Sequence, residues 1–162
     1  MNNNSVEQSI NDCKDEIARI EAAIGVFGQS HHMVPYLTNY MIIKCCGTIE
    51  NAFKSIISDY HNSIPAQAKN FIEQTFTNSS LNPSKENICK SLKRFDINWN
   101  NAFKTKLSAE PNCSQLESSL KSLNDARNEF AHGGHPTVSH SSVKQYFEHS
   151  VRIIEILDEI IT

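Results

Sequence analysis

The chain has 162 residues, a length that fits one domain with a substantial core, so we expect residues 1–162 to form a single domain. Hydrophobic residues make up 39%, charged residues 20%, and the net charge is −3, which is ordinary for a globular protein and excludes a surface that is basic throughout. No apolar run approaches the ~20 residues that span a bilayer, and the N-terminus does not resemble a signal peptide. Together with five cysteines that form no CxxC pair, these features predict a cytoplasmic protein without membrane contact.

The first predicted elements are two long helices, because apolar residues recur at spacings of three and four. The first pattern runs over 6–27, with a cap near Ser5 and an end around Gly28. Its apolar stripe fits either the core of its own bundle or pairing with a partner chain. The second pattern runs over 41–60, with Pro35 suited to the first turn of the helix.

Shorter helices are predicted next, beginning at Pro65 and Pro83 and covering 96–107. Ser114 is predicted to cap another long helix, and a final helix carries the apolar stripe over 143–161. The pattern therefore predicts an all-α bundle with four long helices and short helices inserted between the second and the third.

Arg127 occupies an unexpected face of the third long helix. At about 100° per residue, it lies only about 20° from Leu116 on the helix circumference. Leu120, Leu123 and Phe130 belong to the same apolar stripe. A buried arginine must be hydrogen-bonded, because its charge cannot be neutralised. It either pairs with a core carboxylate or reaches the rim, or it lines a cleft or interface and binds an anion such as phosphate.

His132 follows five residues later, where Gly133 and Gly134 must end the helix. A histidine there can cap the helix, where the dipole favours it, or it can transfer protons near neutral pH. Arginine and histidine together form a minimal set of groups for phosphodiester cleavage. The arginine would hold the phosphate while the histidine moves a proton.

Two segments carry a resemblance to a known family. The segment from Arg127 to His132, RNEFAH, matches the R-polar-x-x-x-H motif of HEPN domains. The segment GTIENAFKSII resembles the second-helix signature of the RiboL-PSP-HEPN branch of that superfamily, in which Glu50, Phe53 and Lys54 would face the motif helix. The resemblance implies a HEPN-like helical bundle with the motif before the final helix, as the pattern of helices also predicts.

What the resemblance implies is a metal-independent endoribonuclease that needs no cofactor. Two protomers would form a homodimer whose shared cleft holds both copies of Arg127 and His132, and the products would carry 2′,3′-cyclic phosphate and 5′-hydroxyl ends. Asn128 would bind the phosphate or orient the histidine, and Glu50, with Lys54 nearby, would pair with Arg127 or His132. The substrate would be RNA, with tRNA among the candidates. Such proteins commonly act as toxins of toxin–antitoxin systems or in antiviral (phage) defence, so an antitoxin or defence-system protein is a candidate partner.

A second function remains open, namely a HEPN-like dimerisation or interaction module that binds a partner protein or a nucleotide without cleaving RNA. The presence of both Arg127 and His132 favours the ribonuclease. A metal site is not expected, because the spacings of His132, His135 and His140 fit no standard zinc site. A basic cluster around Phe95 could contact RNA or form a solvated face; its members are Lys90, Lys93, Arg94, Lys104 and Lys106.

Overall fold

The computed structural model describes residues 1–61 and 63–161, which form helices and no strands, so the predicted all-α class is confirmed. In this part of the chain there are seven α-helices and one π-helical turn: α1 Asn4–Phe27, α2 Val34–Tyr60, α3 Ala66–Ile72, the π-helical turn Glu73–Thr77, α4 Lys85–Phe95, α5 Ile97–Ala109, α6 Cys113–Ala131 and α7 His140–Ile160. Helices α1, α2, α6 and α7 are the longest, with 24, 27, 19 and 21 residues. No helix within the described ranges is both long and apolar enough to cross a bilayer.

Helices α1, α2, α6 and α7 pack side by side, with each neighbour along the chain running in the opposite direction. The start of α1 meets the end of α7, where the Asn2 side chain donates to the Asp158 carbonyl oxygen at 3.1 Å. At the other end, His140 Nε2 lies 3.0 Å from Gln29 Oε1 of the α1–α2 connection. Helices α1 and α6 therefore end where α2 and α7 begin, and we call this the motif end of the bundle.

The core explains why the periodic pattern predicted the long helices correctly. The stripe of α1 is buried within this chain, so the interpretation as core packing is confirmed; its members are Val6, Ile10, Cys13, Ile17, Ile20 and Ile24. The pattern was less informative for the inserted helices, since Phe71 and Ile97 are exposed. Helix α3 has only seven residues and buries none of them, whereas Phe76 of the π-helical turn is buried.

Two helix caps lie one or two residues from the residues at or near which they were predicted. Asn3 caps α1, because its Oδ1 accepts the Val6 amide at 3.1 Å, and Ser5 lies inside the first turn. Helix α6 begins at Cys113 without a side-chain cap, so Ser114 does not have the predicted role. Both differences shift a helix start by one or two residues and leave the faces of the helices unchanged.

Candidate functional site

The C-terminus of α6 is a double-glycine cap of the Schellman type. Gly133 has φ +83°, and its amide donates to the Phe130 carbonyl oxygen at 3.1 Å. The Gly134 amide donates to the Glu129 carbonyl oxygen at 2.8 Å, and a Cβ on Gly134 would lie only 2.7 Å from Glu129 Cγ. The first glycine is thus required by backbone conformation and the second by lack of space, and together they end the helix at a defined residue.

That residue is His132. Its amide donates to the Asn128 carbonyl oxygen at 3.0 Å, which holds its backbone against the last turn of α6. Its side chain is exposed and forms no hydrogen bond with any residue that the structure describes. The backbone of His132 is therefore fixed at the end of α6, and both ring nitrogens are without a partner among the described residues.

Arg127 lies half-buried on the apolar side of α6, where the sequence placed it. Its Nη1 donates to Asn128 Oδ1 at 3.2 Å, and it forms no ion pair with residues 1–61 or 63–161. The predicted alternative of a core carboxylate partner is thus not found among these residues. Burial raises the pKa of the Cys46 thiol to about 12, and the charge of Arg127 opposes this rise, which indicates that the guanidinium is close to α2.

Asn128 connects the two sides of the motif. Arg127 and His132 are separated by about 140° and ~7.5 Å on an ideal helix, and no hydrogen bond joins them. Asn128 lies between them on the helix circumference, so its acceptance of the arginine N–H draws the guanidinium toward the His132 side. One chain therefore brings Arg127 and Asn128 into contact and leaves His132 apart from them.

Glu50 and Lys54, which the sequence also assigned to the site, have different partners. Glu50 Oε1 accepts from Lys54 Nζ at 2.7 Å and from the Leu81 amide at 3.1 Å, and Lys54 Nζ also donates to the Ser79 carbonyl oxygen. Within one chain no ion pair joins Glu50 to Arg127 or His132 among the described residues, so the predicted pairing stays a prediction. Lys54 lies one turn along the same helix, and the half-buried residues Ser79 and Leu81, after the π-helical turn, supply the backbone partners.

Phe53 belongs to the same arrangement. Its ring packs edge-on against Phe76 of the π-helical turn, with ring centroids 5.5 Å apart. These residues of α2 thus contact the segment 76–81, and one turn before Glu50 the Cys46 thiol donates to the Leu123 carbonyl oxygen of α6 at 3.4 Å. This part of α2 anchors the inserted segment.

Sequence analysis missed an exposed row of apolar side chains on α2. Tyr36, Tyr40 and Ile43 are 41% to 68% exposed and lie on one side of the helix, opposite its buried stripe. Phe130, on the last turn of α6, is also exposed. All four side chains are near the motif end of the bundle. The signal was available, because residues 36, 40 and 43 follow the same spacing of four and three as the core stripe.

The last turn of α6 carries three different polar side-chain groups. It offers a guanidinium, an amide and an imidazole, and no group of three metal-binding side chains occurs in the described parts of the chain. A guanidinium is a group whose planar fork can hydrogen-bond two oxygens of an anion.

Comparison with known families gives one result that covers almost the whole chain. A family model described as RiboL-PSP-HEPN matches residues 2–162. Comparisons with curated proteins and with solved structures gave no match. The matched range includes both the α2 segment around Glu50 and the α6 segment from Arg127 to His132.

Proposed function

The chain belongs to the RiboL-PSP-HEPN family, and on this premise we propose that it is a metal-independent endoribonuclease. HEPN-type domains include ribonucleases and often dimerise. The observation that carries the proposal is the charge of Arg127, which lies on the apolar side of α6 without a carboxylate partner in the described residues. A bound phosphate would supply the missing anion, and the planar guanidinium is well shaped to bind two of its oxygens.

The reaction that fits these groups is attack by a ribose 2′-hydroxyl on the adjacent phosphorus. One His132 takes the 2′-hydroxyl proton as the new O2′–P bond forms. A second His132 gives a proton to the 5′-oxygen as the P–O5′ bond breaks. Arg127 stabilises the charge that develops on the non-bridging oxygens. The products are a 2′,3′-cyclic phosphate and a 5′-hydroxyl, and no water or protein nucleophile takes part.

The need for a base and an acid at once is the chemical reason for a two-fold homodimer. Each chain supplies one His132, and its imidazole lies on a different side of α6 from Arg127. A partner chain related by two-fold symmetry would bring a second histidine and a second arginine to the same cleft. The exposed row of Tyr36, Tyr40 and Ile43 supports this assembly, since it places an uncovered apolar surface at the same end.

Within the cell, the proposed activity suits a ribonuclease toxin or an antiviral defence protein, with an antitoxin or defence-system protein as partner. Cellular RNA, including tRNA, is the proposed substrate. A protein of this kind would cut single-stranded loops, where the 2′-hydroxyl can rotate into line with the leaving oxygen.

The test is incubation of the purified protein with total RNA and with tRNA in EDTA, followed by mapping of the product ends. We expect cleavage with 2′,3′-cyclic phosphate and 5′-hydroxyl termini, and a bell-shaped dependence of rate on pH, because one group acts as base and another as acid. His132→Ala should abolish the cleavage. His135→Ala is the matched control, because His135 is another exposed histidine of the same connection and lies outside the motif.

A substrate with 2′-deoxyribose at the cut site should resist cleavage, since it lacks the attacking oxygen. Products with 5′-phosphate and 3′-hydroxyl ends, or loss of activity in EDTA, would contradict the mechanism. If the wild-type protein and His132→Ala leave RNA equally intact, the protein is instead a binding module of the same fold.

A further inference from the structure

A pocket of about 620 Å³ lies beside the motif, between the chain at 82–86 and the polar side of α6 over 114–125. Its volume is in the range of small-molecule sites and exceeds what one or two waters would fill. Hydroxyl, amide, ammonium and carboxylate groups line it, and neither Arg127 nor His132 does. None of the roles assigned above uses this pocket.

Two amide side chains in the wall of the pocket each have one buried polar atom without a hydrogen-bond partner. Asn124 is only 4% exposed; its Oδ1 accepts from the Cys46 thiol at 3.9 Å, and its Nδ2 is buried without an acceptor. Asn82 Oδ1 is likewise buried without a donor. An unpaired buried polar atom costs free energy, so each atom is a position where a bound group would be favoured. Asn124 Nδ2 is a hydrogen-bond donor and Asn82 Oδ1 is an acceptor. The edge of a nucleobase offers an acceptor and a donor that complement these two atoms.

The charge of the pocket determines which part of a nucleotide fits. Two lysines and three carboxylates line it, which gives a formal charge of −1. Lys85 is bound to Glu117, and Lys121 Nζ lies 2.6 Å from Asp125 Oδ2, so neither cation is free. A phosphate would be repelled here. A neutral base would not be repelled, and a base with an exocyclic amino group can also donate a hydrogen bond to the carboxylates.

The position of the pocket relates it to the proposed cut site. Asn124, Asn128 and His132 follow one another at intervals of four residues and lie within about 80° on the same side of α6. Asn124 and His132 are about 12 Å apart along the helix axis. An RNA strand with its phosphate at Arg127 can therefore reach the pocket with a nearby base.

The loop wall is held in place by the α2 residues described above. Glu50 accepts the Leu81 amide at 3.1 Å, next to Asn82. The Asn82 carbonyl oxygen accepts from Asn87 Nδ2 at 2.8 Å, which ties the loop to the first turn of α4. Asn82 is thus fixed through its backbone on both sides, and its side-chain oxygen is presented in a defined place.

We infer that this pocket receives an unpaired base of the RNA substrate, with an exocyclic amino group, close to the scissile phosphate. Asn124 and Asn82 are its specificity-determining residues, through the amide donor of the first and the amide acceptor of the second. The inference rests on the proposed ribonuclease function. It adds to that function a preference for adenine, cytosine or guanine over uracil at one position near the cut.

The experiment compares base frequencies around the cuts that each variant makes in a pool of random RNA. Wild-type protein should disfavour uracil at one position. Asn124→Asp replaces the donor with an acceptor of the same shape and should change the base preference there about tenfold. Asn82→Leu should weaken the preference, and Asn101→Leu, on the exposed side of α5, is the matched control. A ratio between bases does not depend on the fraction of folded enzyme, so partial unfolding cannot imitate the effect.

A second experiment decides the case in which no cleavage is seen. The protein is titrated with the four nucleosides, and binding is followed by the NMR signals of the Asn82 and Asn124 side-chain amides. Cleavage with unchanged base preference in Asn124→Asp overturns the pocket inference and leaves the ribonuclease intact. Absence of cleavage with shifted amide signals overturns the ribonuclease and retains a nucleotide-binding pocket. If neither cleavage nor a shift of the amide signals is seen, the proposed ribonuclease function and the pocket inference are both overturned.

Discussion

At the scale of single residues, two arginines of this chain illustrate different uses of the same side chain. Arg152 is surrounded by carboxylates, with Glu110 at 2.7 Å and Glu155 at 3.0 Å. Arg127 has only the Asn128 amide oxygen at 3.2 Å, although it is also half-buried. The pKa of Arg152 is raised because its charged form is hydrogen-bonded to Glu110 above all. An arginine without such partners gains little stability from its charge, which is why we propose a ligand as the partner of Arg127.

Replacement of Arg127 by alanine should therefore reduce the rate of RNA cleavage by two to three orders of magnitude, roughly the loss expected for one transition-state contact. The melting temperature should be unchanged or slightly higher, because the chain no longer has to hold an unpaired cation. Steady-state cleavage and thermal unfolding of the same preparation measure the two effects.

Arg152→Ala is the matched control for Arg127→Ala. It should lower the free energy of unfolding by about 1 kcal/mol, since its partners are partly exposed, and should leave the cleavage rate unchanged. If Arg127→Ala unfolds the protein and shows no separate loss of rate, Arg127 is a structural residue.

At the scale of elements, α2 supports the inserted segment through a nearly buried ion pair. Lys54 is only 6% exposed, and its amine is shared between Glu50 and the Ser79 carbonyl oxygen. Such a pair contributes little net stability, but removal of one partner leaves the other charge uncompensated. The pair thus fixes where the chain at 79–82 lies.

Lys54→Met should lower the free energy of unfolding by about 3 kcal/mol, because Glu50 loses its cation. The double variant Glu50→Gln, Lys54→Met should recover most of that loss, since the remaining amide is neutral. Denaturant titration of the two variants measures the difference. The cleavage rate per folded molecule should stay within about tenfold of wild type, whereas a direct catalytic role would cost two orders of magnitude or more.

At the scale of the whole molecule, the four-helix arrangement leaves its apolar surface uncovered near the motif. The exposed side chains of Tyr36, Tyr40 and Ile43 share one side of α2, and Phe130 extends the apolar stripe of α6 beyond the core. A row of exposed large apolar side chains on one side of a helix is typical of a protein interface. The proposed homodimer would cover it with its own copy and bring the two motifs together.

Ile43→Asp should convert the proposed dimer to a monomer and reduce cleavage with it, because a carboxylate would be buried opposite its own copy. Ile97→Asp is the matched control, since Ile97 is exposed to a similar degree on α5. Light scattering at micromolar concentration measures the assembly. A wild-type monomer with full ribonuclease activity would contradict the composite cleft.

Much of the fold could be predicted from the sequence, because helices depend on interactions within a few residues. The periodic spacing in α1 correctly identified every buried residue of its stripe, from Val6 to Ile24. Short helices were harder, because α3 buries nothing and a pattern without burial carries no information about packing. The same holds for the candidate site: features that depend on neighbouring residues could be predicted, and contacts between distant residues could not.

The sequence by itself determined that Arg127 lies on the apolar side of α6 and that the helix ends at His132. Both depend on helix geometry and on Gly133 and Gly134, which act within one turn of the chain. Only the tertiary structure decided that Glu50 holds Lys54 and the Leu81 amide and that Asn82 and Asn124 meet in one pocket. The physical reason is that the side chain of a charged or polar residue bonds to whichever partner the folded chain brings near. Glu50 and Leu81 are 31 positions apart, and Asn82 and Asn124 are 42 positions apart. Such distant residues come together only after the helices have packed.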